Sequence, residues 1–214
     1  MGEVLRGVRW FRQLSVRVRR GGLNVHVDPN GIPATEEPAD FILLTHPHFD
    51  VFSERDVERL KKPGTVVIAP ASMKKLVPDG DHYMAPGDAL QVGGADILAL
   101  PAYNSSRRYH PRGAGWLGYL IALDGVTYYH AGHTSLIPPM TGLNCDVAFL
   151  PCDGKYSMGP TEMLRAAEAC GARVVVPIHC GTAPGVRAEL EKLRRSFHGE
   201  IALLEPATPN APRH

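Results

Sequence analysis

The segment Thr-His-Pro-His-Phe-Asp, residues 45–50, constrains this chain more than any other feature. It follows the apolar stretch Phe41–Leu44 and precedes a helix-start signal at Ser53. Alternate residues of an extended turn point the same way, so His46 and His48 can reach one cation while Asp50 approaches beside them. The sequence therefore predicts a metal site on a turn at the end of a buried strand.

Composition limits the other possibilities. The chain has 214 residues, 44% of them hydrophobic and 21% charged, with a net charge of +1. These values are typical of one globular domain, which we expect over residues 1–205, with a flexible tail at 206–214. The small net charge does not favour nucleic-acid binding. The sequence shows neither a secretory signal nor a membrane span. The four cysteines lack the short paired spacing of zinc ribbons, so we expect free thiols in the cytoplasm.

The chain alternates between strand and helix patterns without repeats. Strand–turn–strand signals dominate the first part, and Asp124-Gly125 is a strong two-residue hairpin signal. Strand–helix alternation dominates the second part, in which Thr161 is expected to cap a helix. Two sheets packed face to face with helices outside would accommodate both patterns.

Three further histidines occupy strand ends or loops. His110 precedes Pro111 in a polar loop, His133 follows a strand, and His179 ends the β-branched segment Val174–Ile178. Sheets hold such loops rigidly, which suits the convergence of metal ligands from distant parts of a chain. The segment Cys152-Asp153-Gly154 predicts a turn, with Asp153 facing the pocket as a less favoured alternative.

Together these segments resemble the metallo-β-lactamase fold superfamily, in particular its small metal-dependent hydrolases. The resemblance runs from about Trp10 to Gly181 and is carried by 45–50, 102–104, 110–111, 129–132 and 177–179. It implies an α/β protein, an αββα sandwich of two mixed β-sheets flanked by helices. It also implies hydrolysis of lactones, phosphodiesters or amides by metal-bound hydroxide.

The resemblance assigns roles to individual residues. His46 and His48 correspond to ligands of a first metal, and Asp50 and His179 to ligands of a second. Asp28 corresponds to a carboxylate that supports the first histidine turn. The remaining ligand of the first metal is either Asn104 or His110, and the basicity of its imidazole favours His110.

Two positions depart from the family pattern. Val51 stands where the family usually has a histidine, and His133 stands where an aspartate bridges both metals. Histidine offers one neutral nitrogen to one metal, whereas a carboxylate offers two anionic oxygens. The simplest expectation is one zinc ion, with a second zinc, manganese or iron as alternatives.

We therefore expect an enzyme that hydrolyses a small ester, lactone or phosphodiester, with Asp50 as the catalytic carboxylate. The expected metal ligands are His46, His48, Asp50, His110, His133 and His179. The expected substrate-binding residues are Tyr103, Asn104, Arg108 and Arg112. Two alternatives remain open: a metal-poor relative that acts as a binding module, and an iron-dependent oxidative enzyme. The sequence does not predict an oligomeric state.

Overall fold

The computed structural model describes residues 2–180 and 184–207. Within these ranges the strands form two mixed sheets. The first sheet contains, in spatial order, β1 (Val8–Arg12), β2 (Ser15–Arg20), β3 (Leu23–Val27), β4 (Phe41–Leu43), β5 (Val66–Pro70) and β6 (His82–Met84). Strands β1 to β3 are antiparallel, and β3 to β6 are parallel.

In the second sheet, the spatial order of the strands is the reverse of their order along the chain. This sheet contains β13 (Glu200–Ile201), β12 (Val174–Ile178), β11 (Val147–Pro151), β10 (Val126–His130), β9 (Leu117–Leu123), β8 (Ala95–Pro101) and β7 (Ala89–Val92). Strands β8, β10, β11 and β12 run in one direction, because β9 is antiparallel to both neighbours and the later pairs are parallel. Their carboxyl ends therefore lie at one edge of the sheet.

In the part of the chain that the structure describes, three α-helices accompany the sheets: α1 (Glu54–Leu60), α2 (Pro160–Ala169) and α3 (Pro184–Leu193). Helix α1 begins as predicted, because the Ser53 hydroxyl accepts a hydrogen bond from the Asp56 amide at 3.2 Å. Helix α2 begins earlier than Thr161, with Gly159 as N-cap and Pro160 in the first turn. Proline suits that position because the amide hydrogen that it lacks would have no partner within the helix.

Alternation along the strands separates three hydrophobic layers. In β4, Phe41 and Leu43 join the core between the sheets, while Ile42 packs outward with Val57 and Leu60 of α1. The second sheet also has two buried faces: one joins the core between the sheets, and the outward-facing residues pack against α2 and α3. This arrangement confirms the αββα sandwich predicted from the sequence, since strand side chains point alternately to the two faces.

Local turn chemistry also follows the sequence. Asp124 and Gly125 join β9 to β10 with φ values of 45° and 73°, as a type I′ hairpin turn requires.

Strands β1, β6 and β7 were not predicted from the sequence; β7 is an edge strand that buries little apolar surface. The amide of Ala207 donates to Trp10 O, and the rest of the predicted tail, 208–214, lies outside the described residues. No helix in the described ranges is long and apolar enough to cross a membrane.

Candidate metal centre

Four imidazoles converge at the carboxyl edge of the sheets. His46 and His48 lie on the turn after β4, His110 on the loop between β8 and β9, and His133 just after β10. One ring nitrogen from each lies within 4.8 Å of the others. The Nδ1 atom of His133 is 3.0 Å from Nε2 of His46. A cluster of neutral imidazole nitrogens at this spacing is able to bind a transition-metal ion.

Hydrogen bonds made by Thr45 and Asp28 hold the His46 ring on its Nδ1 side, away from the cluster. Its Nδ1 lies 2.8 Å from the Thr45 hydroxyl, which donates to Asp28 Oδ2 at 2.6 Å. Asp28 Oδ1 also accepts from the Thr45 amide at 2.7 Å. This hydrogen-bonded row fixes the ring so that Nε2 faces the cluster, which is how outer groups commonly orient a metal-binding histidine.

Burial keeps the cluster neutral. Burial and the neighbouring imidazoles hold the pKa of His46 and of His133 well below the ordinary value, and burial lowers the pKa of His110 to about 4. The Nε2 atoms of His110 and His133 are buried without a hydrogen-bond partner. Neutral rings with unpartnered nitrogens have lone pairs available for a cation, so the donor set fits a metal.

A second group of acidic and histidine side chains adjoins the first. His179 follows β12, and its ring centroid lies 4.4 Å from that of His133. Its Nε2 is 3.5 Å from Asp50 Oδ2, and its Nδ1 is 3.1 Å from Asp153 Oδ2. Burial alone would lower the pKa of His179, but the two carboxylates outweigh it and raise the pKa to about 9. His133 belongs to the four-histidine cluster and also contacts His179, so it links the cluster to the Asp50–His179 pair.

A profile described as the beta-lactamase superfamily domain matches residues 7–179. A UPF0173 metal-dependent hydrolase from Methanoregula boonei is 35% identical over 192 residues, covering 83% of this chain and 84% of the relative. This chain belongs to the UPF0173 family. A second UPF0173 relative, from Thermococcus onnurineus, is 33% identical and covers 87% of this chain and 91% of its own.

A structural comparison agrees with the assignment. The UPF0173 chain superimposes on the crystal structure of a candidate metal-dependent hydrolase from Parabacteroides distasonis with a TM-score of 0.82 and 28% identity. The match covers 92% of this chain and 93% of the other.

The loop before β9 places His110 in the histidine cluster and surrounds Asn104 with hydrogen-bond partners. The amide of Asn104 donates to Tyr109 O at 2.7 Å and to Tyr156 O at 2.8 Å, and its Oδ1 accepts from Ser135 at 3.1 Å. Asn104 is therefore engaged by its own loop through Tyr109 and by two other loops through Tyr156 and Ser135. His110, with φ of 60°, is the residue that this UPF0173 protein brings into the cluster.

The predicted substrate-binding side chains lie near this loop but outside the cluster. Tyr103 is half-buried, and the Arg112 guanidinium lies 5.3 Å from the centre of its ring. Arg108 is exposed. The neighbouring Arg107 is already engaged, because it donates to Ser135 at 2.8 Å and to Glu162 at 2.7 Å.

Sequence reasoning missed or undervalued two neighbours of the site. Trp116 contacts three rings, with centroids 4.8 to 5.5 Å from those of His46, His48 and His110, and no local pattern marks it. Asp153 was predicted as part of a turn, with a position facing the pocket as the less favoured alternative. Its position just after parallel strand β11, like that of His133 after β10, is a signal that could have found it.

Proposed function

We propose that this protein hydrolyses a small ester, lactone or phosphodiester with the help of one divalent cation, most simply zinc. His46, His48 and His110 would hold the cation, with His133 bordering it, so that a fourth coordination position would remain for water. The supporting observation is the convergence of four buried or half-buried imidazoles, one nitrogen of each within 4.8 Å of the others. A bound cation of this kind polarises a carbonyl or phosphoryl oxygen and acidifies water.

Asp50 is the proposed proton acceptor. Burial raises the pKa of its carboxyl, but the hydrogen bond and charge of His179 outweigh burial and leave the pKa below its ordinary value. Asp50 is thus ionised at neutral pH, and its side chain retains 27% exposure. An ionised, partly accessible carboxylate beside the cluster can take a proton from an attacking water molecule and later return it to a leaving group.

Anion recognition is assigned to the loop that carries His110. In the described ranges, no ion pair with an acidic side chain is formed by Arg108 or Arg112. Arg107 differs, because Glu162 already neutralises it. We assign Arg108 and Arg112 to the recognition of a carboxylate or phosphate on the substrate, since guanidinium groups bind both in a bidentate manner. Tyr103 would hold Arg112 in place through its ring, and Asn104 would hold the loop.

The test combines metal analysis with hydrolysis assays. Protein purified without added metal should contain about one equivalent of zinc, manganese or iron, and it should hydrolyse at least one member of a lactone, ester and phosphodiester panel. Asp50→Asn should lower turnover about 100-fold or more while leaving folding intact. His198→Ala, which changes an exposed histidine after α3, is the matched control and should be unaffected.

Three results would contradict the proposal. Less than a tenth of an equivalent of metal would favour the binding module. Iron accompanied by oxygen consumption would favour oxidative chemistry. Unchanged turnover in Asp50→Asn would remove Asp50 from the mechanism.

A further inference from the structure

We propose that Asp153 is a positioning residue that holds the His179 ring with Nε2 directed at the cation site, without binding the cation itself. The inference rests on the proposed function for the identity of the centre. It concerns a carboxylate whose nearest oxygen, with one nitrogen each from His133 and His179, forms a group within 4.8 Å. Distance alone would therefore make Asp153 a candidate ligand.

The hydrogen bonds of Asp153 argue against direct binding. Oδ1 accepts from the backbone amide of Lys155 at 2.8 Å and from that of Tyr156. Oδ2 accepts from the Ser157 hydroxyl and lies 3.1 Å from Nδ1 of His179. A carboxylate offers about four lone-pair sites, so these four partners use its accepting capacity. Asp153 would have to give up at least one of them to bind a metal.

The same contacts fix the ring of His179. An ionised carboxylate can only accept, so a hydrogen lies on Nδ1, and once the ring has lost its second hydrogen the lone pair lies on Nε2. This Nε2 is buried without a hydrogen-bond partner. It faces Asp50 Oδ2 at 3.5 Å, beyond normal hydrogen-bond length. In the doubly protonated ring the second hydrogen points from Nε2 toward Asp50, and a cation bound between these atoms would take its place.

Asp153 also supplies charge that the centre otherwise lacks. His133 stands where the resemblance places a bridging aspartate, so the cluster has one carboxylate fewer than that pattern. Asp153 places a buried negative charge directly behind His179, with 6% of its side chain exposed. A carboxylate behind a histidine increases the basicity of the ring toward a metal.

The experiment measures the metal affinity and the hydrogen position on the His179 ring separately. Asp153→Asn removes the charge but keeps the shape, and Asp153→Ala removes the acceptor. Ser157→Ala is the matched control, because it deletes another partner of Oδ2 without touching His179. Metal affinity is measured by competition with a chromophoric chelator. The hydrogen position on His179 is measured by long-range ¹H–¹⁵N NMR of metal-free protein at a pH above the His179 pKa of about 9, where the ring has a single hydrogen.

We expect Asp153→Asn to weaken zinc affinity about 10- to 100-fold at unchanged maximal stoichiometry. We expect Asp153→Ala to shift the His179 hydrogen from Nδ1 toward Nε2, while Ser157→Ala keeps both properties near wild type. Affinity within twofold of wild type in Asp153→Asn would overturn the proposal. So would an unchanged hydrogen position in Asp153→Ala, or loss of a whole equivalent of metal in Asp153→Asn, which would make Asp153 a ligand. The NMR result tests the role of Asp153 even if wild-type protein binds no metal and the proposed function fails.

Discussion

Nδ1 of His133 lies 3.0 Å from Nε2 of His46, although 87 positions separate the two residues in the chain. Both rings are buried and have strongly lowered pKa values, so a second proton is disfavoured on either ring. The Thr45 hydroxyl already occupies Nδ1 of His46. At this distance a hydrogen on Nδ1 of His133 can be donated to Nε2 of His46, and a cation bound to His46 would replace that hydrogen bond; this relationship underlies the next prediction.

Replacing His133 by aspartate should increase metal stoichiometry. The shorter carboxylate would offer oxygens toward both the His46 side and the His179 side, whereas imidazole binds each metal through a single nitrogen. We expect the zinc content of His133→Asp to rise from about one toward two equivalents per protein. Elemental analysis after removal of excess metal measures it. His198→Asp adds the same charge elsewhere and should stay at one. A stoichiometry of one in His133→Asp would contradict the expectation that the side chain at position 133 decides between one metal ion and two.

Removing the metal should lower the thermal stability of wild-type protein but not that of a variant without His48. A cation present at about 100 times its Kd adds about 2.7 kcal/mol of stability when it binds only the folded state. A chelator should therefore lower the melting temperature of wild-type protein by several degrees. His48 is half-buried, so His48→Ala should fold but show a melting temperature insensitive to chelator. His198→Ala should respond as wild type does, and a full chelator response in His48→Ala would exclude His48 as a ligand.

His26 should make stability fall in acid, independently of the metal centre. Burial, reinforced by Arg17, Arg19 and Arg59, lowers the pKa of His26 from 6.5 to about 3. Below pH 6.5 the unfolded chain binds a proton that the folded chain does not, so stability decreases as pH falls toward 3. The slope approaches about 1.4 kcal/mol per pH unit.

The measurement is urea unfolding of metal-free protein between pH 7 and 5. His26→Leu keeps a similar volume, cannot titrate, and should lose this part of the pH dependence. The ring of His26 stacks against Phe11 with centroids 5.9 Å apart, and leucine retains an apolar contact there. Parallel pH profiles for wild type and His26→Leu would refute the prediction.

Gly132 should tolerate no side chain. Its φ is 65°, and a Cβ would lie 2.7 Å from the carbonyl oxygen of Leu117. Gly132→Ala therefore combines left-handed backbone strain of about 1–2 kcal/mol with a backbone clash next to His133. Gly142→Ala is the control, because φ is 78° there but a Cβ would meet nothing within 4 Å. We expect Gly132→Ala to cost clearly more free energy of unfolding than Gly142→Ala, and also to weaken metal binding. Equal costs would show that the clash relaxes freely.

The sequence determined the local structures. The apolar Phe41–Leu44 stretch, the Asp124-Gly125 turn and the Ser53–Asp56 cap each depend on neighbouring residues, and the structure contains all three. Alternating burial along strands then implies two packed sheets, which is why the αββα arrangement was predictable. The histidine turn and the histidines that follow strands were visible for the same reason.

Tertiary structure decided how those histidines meet. The choice between Asn104 and His110 depends on contacts with Tyr109 and Tyr156 and on the left-handed conformation of His110, none of which a local pattern encodes. The support of His179 by Asp153 depends on the alignment of β11 beside β12, which pairs Pro151 with Ile178. Local propensity acts over a few residues, whereas a centre shared by distant loops exists only once the sheets fix their strand ends in space.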